Sequence, residues 1–475
     1  MNLTAMTISR PPRRRQPSVR HAAQAAVGLI LAAGAAAAGV GLAAPPNVLL
    51  IISDDQGWND YGFAGHPHIR TPCLDALARE SRTFTRGYVP SSLCRPSLAT
   101  ILTGLYPGQH GIVGNDPARL PPSAGDPQAG DPQAGAPQAG DPESVHDARR
   151  AQLIARIDAC ETIPDRLGTL GYRSLQTGKW WEGGYRRGGF TDGMTRGFPD
   201  PNGRHGDAGL AIGRQGLQPI AEFIDDCQAH RQPFFVWYAP LLPHAPHDPP
   251  AELLAKYLPV APSPHLARYW AMCEWFDATC GELLAVLDRR GLREQTLVVY
   301  VTDNGWINRT DSAEAAPRSK RSPYEGGVRT PLMVRWPGRA TPGIDRSSLA
   351  SSIDIAPTVF AACGLERPPG LPGVNLLDDA EVARRHAVFG EIYAHDVEDL
   401  QRPDKSLLFR WIVRDNEKLI VPRDPATGPA ELYDLGVDPT EQHDRAATAP
   451  QRVATLTAEI DAWRPLGPLA DDAPR

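Results

Sequence analysis

Four short apolar runs along the chain end in polar residues, and helical periods lie between them. "NVLLIISDD" (47–55) is apolar almost throughout, the pattern of a strand buried on both faces. "GYRSLQTGKW" (171–180) follows the helical stretch "ETIPDRLGTLG", and "PFFVWYAPLLPH" (233–244) follows "LQPIAEFIDDCQAHR". "TLVVYVTDNG" (296–305) follows "YWAMCEWFDATCGELLAVLDRRG", whose apolar residues recur at helical spacing. Helices alternating with buried strands predict an α/β fold, a large and mostly parallel sheet sandwiched by helices.

After about residue 376 the texture changes. "HAVFGEIYA", "SLLFRWIVRDNEKLIV" and "AELYDLGVDPTEQHD" read as meander strands, and "QRVATLTAEIDAWRPL" as a closing helix. They predict a smaller C-terminal antiparallel α+β subdomain over 376–475, beside a main domain over 45–375. Residues 121–144 repeat Ala-Gly-Asp-Pro-Gln at a period of five and offer little for a core, so they read as a low-complexity, disordered insertion. Residues 1–44 read as a signal peptide or N-terminal targeting segment. Basic "RPPRRRQPSVRH" precedes an Ala/Gly-rich apolar stretch, and Gly41 and Ala43 are placed for cleavage. Its low Leu/Ile content argues against a retained anchor, so an exported protein, periplasmic or extracellular, is expected.

The chain of 475 residues is long enough for one large and one smaller domain. A net charge of −6 disfavours a nucleic-acid partner. Seven cysteines without a Cys-x-x-Cys pair argue against a zinc ribbon or a dense disulfide framework. Cys273 and Cys280, in one helical stretch, read as small apolar helix residues rather than a bridge.

In open α/β sheets, ligands bind beyond the carboxyl ends of the strands. Asp54 and Asp55, Lys179, His244, and Asp303 with Asn304 all stand at such ends. A single Asp there is ordinarily a helix cap or turn former, but turn chemistry does not explain four strands delivering polar groups to one edge. Asp54, Asp55, Asp303 and Asn304 form an all-oxygen set, which favours Ca2+ or Mg2+ over zinc. Lys179, Lys320 and His244 add positive charge and hydrogen-bond donors. A hard cation so surrounded suits a tetrahedral anion, phosphate or sulfate.

Cys94 lies in "SSLCRPSLATILTGLYPGQHG" (91–111). Pro96 suits the first turn of a helix. Leu98, Ile101, Leu102 and Leu105 share one face, predicting a buried helix with Cys94 at its N-terminus, where the dipole favours an anion. Such a cysteine is a candidate low-pKa thiolate. A thiolate is a soft ligand, however, and mismatched to an oxygen-loving cation, so the thiol is not the expected working form.

The chain resembles the formylglycine-dependent sulfatases of the alkaline phosphatase superfamily. The matching pieces are "PNVLLIISDDQGW", "HIRTPCLDALARES", "CRPSLATILTGLYPGQHG", "GYRSLQTGKW", "LPHAPHDPP", "TDNG", "KRSPYEGGVRTPLMVRWPG", "SSIDIAPTVFAACG" and "ELYDLGVDPTEQHD", in family order from about residue 46 to 445. The resemblance implies an alkaline-phosphatase-like fold, with 45–375 as the catalytic domain. It implies that a formylglycine-generating, sulfatase-maturing enzyme converts Cys94 to Cα-formylglycine. One hydroxyl of the hydrated aldehyde would attack the sulfur of a sulfate ester, and the other, on losing its proton, would expel sulfate. The same resemblance makes Asp54, Asp55, Asp303, Asn304 and residue 94 ligands of one Ca2+. It places Lys179 against formylglycine and sulfate, and His244 and Lys320 on the sulfate and leaving-group side. The implied substrate is a sulfated small molecule or glycan, with a carbohydrate expected.

Two positions depart from the family pattern, which usually has Arg at Leu98 and His at Trp181. The metal ligands and both lysines are all present, which favours a subgroup with rearranged support residues over an inactive relative. His205, in "GRHGDAG" (203–209), is the candidate substitute for the missing imidazole and a candidate substrate-binding residue. Arg95 is a second source of charge beside Cys94 unless it points elsewhere. His395 and Asp396 are candidates to edge the pocket from the second subdomain, and His110 is expected to serve the turn after the buried helix. "GYRRGGFTDGMTRGF" (184–198) is the expected specificity loop, its arginines suiting an anionic carbohydrate. Two alternatives stay open: a phosphate or phosphonate ester hydrolase of the same superfamily, and an inactive sulfated-glycan binder with unmodified Cys94. Oligomeric state is not legible in the sequence.

Overall fold

A computed structural model of the chain describes residues 45–119 and 143–466. The targeting segment expected over 1–44 lies outside the described residues, as does most of the insertion expected at 121–144; Glu143 and Ser144 open a helix, Glu143–Ile154.

The large sheet has nine strands. They are β1 (Asn47–Ser53), β2 (Arg82–Tyr88), β3 (Arg173–Gly178), β4 (Asp192–Gly193), β5 (Phe234–Ala239), β6 (Thr296–Thr302), β7 (Arg329–Arg335), β8 (Gly343–Asp345) and β9 (Ala350–Ser351). Their spatial order is β9-β2-β7-β6-β1-β5-β3-β4, with β8 beside β2. β6, β1, β5, β3 and β4 run parallel, while β7 is antiparallel to both its neighbours. The sheet is therefore mostly parallel, as the apolar runs predict.

Helices cover both faces because the central strand is apolar on both. The main ones are α1 (Pro72–Glu80), α2 (Cys94–Thr103), α3 (Gln218–His230), α4 (Pro264–Arg289) and α5 (Ile355–Ala362). Val48, Leu50 and Ile52 of β1 join a core with Leu98, Ile101 and Leu102 of α2 and Val359 of α5. Leu49 and Ile51 join the opposite core with Leu74 of α1, Ile224 of α3 and Phe276 of α4. Each such side chain contributes roughly 1.5–3 kcal/mol by leaving water.

A second, four-stranded antiparallel sheet follows in the order β10 (Ala387–Tyr393), β11 (Leu407–Arg414), β12 (Glu417–Pro422) and β13 (Glu431–Asp434). The terminal helix α6 (Pro450–Trp463) covers one face through Leu456 and Ile460. Trp411, Val388 and Ile392 pack the other against Tyr88 of the large sheet.

The apolar-run argument missed five strands of the large sheet: β2, β4, β7, β8 and β9. β2 carries polar residues along its length and is held by pairing with β7, β8 and β9, while β7 pairs with both β2 and β6. α2 also ends earlier than the apolar spacing suggests. Gly104 takes φ 73 as its left-handed cap, leaving Leu105 outside the helix.

Candidate active site

The carboxyl ends of β6, β1, β5 and β3 lie side by side. Ser53 is in register with Thr302, so Asp54 and Asp303 leave the sheet as neighbours. The Asp303 amide donates to the Ser53 carbonyl at 2.9 Å, and the Asp54 amide to the Leu242 carbonyl at 3.0 Å. The Lys179 amide donates to the Ala239 carbonyl at 2.7 Å. Its approach requires glycine at 178, where φ is +77° and a Cβ would stand 1.9 Å from the Ala239 oxygen. Asp55 has φ 61, a left-handed conformation that costs a non-glycine residue on the order of 1 kcal/mol.

The expected side chains meet there. Lys179 Nζ donates to Asp54 Oδ1 at 2.7 Å and lies 3.8 Å from Asp303 Oδ2. Lys320 Nζ donates to both Asp55 oxygens, at 2.6 and 2.8 Å. Asn304 Nδ2 donates to Asp55 Oδ1 at 2.7 Å, and His244 Nε2 lies 3.4 Å from Asp55 Oδ2. His244 Nδ1 is 2.5 Å from the Ala245 carbonyl, which only accepts, so both ring nitrogens face acceptors. Asp54, Asp55, Cys94 and His244 each bring a possible ligand atom within 4.8 Å of the others.

Three buried oxygens of this cluster have no hydrogen-bond partner: Asp54 Oδ2, Asp303 Oδ2 and Asn304 Oδ1. An unsatisfied buried polar atom costs about 1–3 kcal/mol, so three together mark oxygens kept for a ligand. Three carboxylates also outnumber the two lysines. A divalent cation would reverse that balance and make the cluster attractive to an anion. The donor set therefore fits a hard, oxygen-preferring cation such as Ca2+.

The electrostatics follow from the same contacts. Burial opposes charge on Lys179, but Asp54, Cys94 and Asp303 outweigh it and hold its pKa above the ordinary lysine value. Asp55, Cys94 and Asp54 do the same for Lys320. Burial disfavours the charged form of Asp55, but Lys320, His244 and Lys179 hold it well below the usual carboxylate range. Asp303 is pushed up, by burial first and by Asp54 next.

The supporting residues are arranged less predictably. Leu98 is a core residue, 4% exposed. Arg95 points away from Cys94. Its Nε and Nη2 donate to the Glu182 carboxylate at 2.7 and 2.6 Å, and its Nη1 to the Asn115 carbonyl at 3.2 Å. Glu182 escaped the sequence reasoning, since nothing in its local pattern pairs it with Arg95. His110 bonds Thr100 Oγ1 at 3.1 Å and accepts from the Ile112 amide at 3.1 Å, the expected turn role. His395 Nε2 lies 3.2 Å from Asn115 Nδ2 and its Nδ1 2.6 Å from Asp396 Oδ1. Asn115 Oδ1 in turn accepts from the Arg95 amide at 3.1 Å, so His395 reaches the start of α2 through Asn115.

His205 comes to the cluster from its own loop. Its ring lies on that of Trp181, centroids 5.2 Å apart and tilted 33°. Burial, then Lys179 and Arg204, pull its pKa down to about 4, so the imidazole is neutral at neutral pH. In the 184–198 loop, Arg187 pairs with Asp158 at 2.8 Å and Arg196 with Asp200 at 3.3 Å. All seven cysteines are free, in keeping with the apolar reading of Cys273 and Cys280.

The family model described as Sulfatase matches residues 46–365, two-thirds of the chain and all nine strands of the large sheet. The chain belongs to the sulfatase family. A second model, N-sulphoglucosamine sulphohydrolase, C-terminal, matches residues 316–462 of this sulfatase. It is 28% identical to arylsulfatase A of Homo sapiens, over 91% of this chain and 92% of that protein. It is 29% identical to N-acetylgalactosamine-6-sulfatase of Canis lupus familiaris, over 74% of this chain and 70% of that protein. The solved structure of Ps i-CgsB superposes with a TM-score of 0.67 at 23% identity, covering 88% of this chain and 92% of that one, which agrees with the fold. The sulfatase is a sulfuric ester hydrolase of the alkaline phosphatase superfamily. Among its described residues no helix is long and apolar enough to cross a membrane.

Proposed function

We propose that the sulfatase cleaves sulfate esters of a carbohydrate, using a formylglycine made from Cys94 and one Ca2+ held by Asp54, Asp55, Asp303, Asn304 and residue 94. The observation that carries this reading is the trio of unpartnered buried oxygens in the cluster that includes Cys94. Formylglycine would supply an oxygen nucleophile with its own route for expelling sulfate, and Ca2+ would supply Lewis-acid stabilisation of the anion.

The chain's own side chains complete the chemistry. Lys179 and Lys320, both held charged, neutralise the sulfate oxygens as negative charge builds. His244, with both nitrogens facing acceptors, donates the proton that the departing alcohol oxygen needs. His205 contributes a neutral imidazole to the bound sulfate. A carbohydrate substrate is supported by relatives whose names specify sugars, among them N-acetylgalactosamine-6-sulfatase. The composition of residues 1–44 supports export, where sulfated glycans are met and a maturing enzyme acts on the chain beforehand.

Mass spectrometry of the tryptic peptide spanning 87–119 tests the central step. Conversion exchanges sulfur for oxygen and removes two hydrogens, so the peptide should be lighter by that amount. Unmodified peptide from a host with active maturation machinery would refute the formylglycine reading and leave a sulfated-glycan binder.

A further inference from the structure

We propose that Trp181 is a positioning residue that presents His205 to the sulfate group, with Arg204 and Asp116 locking the indole in place. The proposal rests on the reading of the Asp54–Cys94 cluster as a sulfate site.

Three pairs of adjacent residues meet beside that cluster: Asn115 with Asp116, Trp181 with Glu182, and Arg204 with His205. Arg95 joins the first pair to the second, through the Asn115 carbonyl and the Glu182 carboxylate. Arg204 joins the first to the third, its Nε donating to Asp116 Oδ2 at 3.0 Å. The indole of Trp181 closes the arrangement. The Arg204 guanidinium lies 4.7 Å from its centroid, within cation–π range, and the His205 ring lies 5.2 Å away. The Trp180 amide also donates to the His205 carbonyl at 3.1 Å, which fixes the backbone of the loop.

So many constraints on one loop would ordinarily satisfy its polar groups. Instead His205 Nδ1 is buried without a hydrogen-bond partner, and so is Trp181 Nε1. Trp180 directly follows Lys179, so its bond to the His205 carbonyl puts the stack beside the cluster. The unpartnered His205 nitrogen, held in place by the Trp181 ring, is what a tetrahedral oxyanion would find ready to bind. A purely structural tryptophan accounts for the burial but not for an imidazole stacked on it with a buried nitrogen left unpartnered.

Binding of inorganic sulfate to the full chain, with Ca2+ added and Cys94 unmodified, gives a readout independent of maturation. Calorimetry should show His205→Ala and Trp181→Ala each weakening sulfate about tenfold, with Trp181→Phe keeping most of the affinity because it keeps the ring stack. Arg204→Ala, a half-exposed change that spares the core, should cause a smaller loss in the same direction. Turnover is then counted per formylglycine-bearing molecule, so failed maturation does not register against the clamp. The Trp181→Ala/His205→Ala double variant should be no slower than His205→Ala alone, since one residue acts through the other. Additive losses, or unchanged sulfate affinity in both Trp181→Ala and Arg204→Ala, would overturn the clamp while leaving the site reading intact. A wild-type chain that binds no sulfate would overturn both.

Discussion

Removing one member of the Arg95–Glu182 pair should cost far more than removing both. The two side chains are 1% and 4% exposed and joined by hydrogen bonds of 2.7 and 2.6 Å. In Arg95→Met the buried Glu182 carboxyl is left without its partner, a loss that typically costs about 3–5 kcal/mol. In Arg95→Met with Glu182→Leu the desolvation penalty disappears along with the attraction, so the exchange is nearly neutral. What remains is the lost bond from Arg95 Nη1 to the Asn115 carbonyl, worth about 1 kcal/mol. An unfolding entropy of roughly 2 cal/mol/K per residue amounts to about 1 kcal/mol/K for a chain of this size. The single variant should therefore melt about 3–5 °C below wild type and the double variant about 1 °C below it. Calorimetric scans at fixed calcium measure the difference. Equal shifts for the single and double variants, or none for the single, would refute the claim that this buried pair is mutually dependent.

Asp303→Ala should abolish turnover and bound calcium together, checked by equilibrium dialysis beside an activity assay; turnover without calcium would contradict the site. Chelation of wild type should lower its melting point, because an ion bound at a thousand times its Kd adds about 4 kcal/mol to the folded state. An unchanged Tm would show that the three unpartnered oxygens hold no cation. Stability should also depend on pH through Asp277, which burial raises from 3.8 to about 6 while the Leu74 and Cys73 amides bond it. The folded state binds its proton more tightly than the unfolded chain does. Its contribution is therefore full below about pH 4 and is lost as pH rises through 6, on the order of 3 kcal/mol in all. Asp277→Asn should flatten that decline in urea midpoints measured from pH 4 to 7, and an identical slope would show that Asp277 does not cause it.

Much of the fold was legible because β1, β5 and β6 each announce themselves locally, while β3 was read from the helical stretch before it. A strand buried on both faces must be apolar throughout, and the polar residue that ends it is where a parallel sheet collects chemistry. Asp54, Asp55, Lys179, His244, Asp303 and Asn304 were placed at one edge by that reasoning, and the structure brings them together. β2 was not legible, since Arg82, Thr83, Thr85 and Arg86 interrupt any apolar run and only pairing with β7, β8 and β9 makes the segment a strand. His205 was legible as a candidate but not as a neighbour of Trp181, because a loop's landing point has no period to read.

The sequence by itself determined which strands are buried, which residue types stand at their ends and what cation those oxygens suit. Those are properties of local spacing and of the donor atoms themselves. Only the tertiary structure decided how the charges are shared out. Arg95, next to Cys94, pairs with Glu182, 87 residues away, rather than with the site. Lys179 went to Asp54 and Lys320 to Asp55, leaving three oxygens unpartnered. Such pairings depend on where loops from separate strands converge in a space without water, where each charge must find a partner, and no spacing along the chain encodes that meeting point.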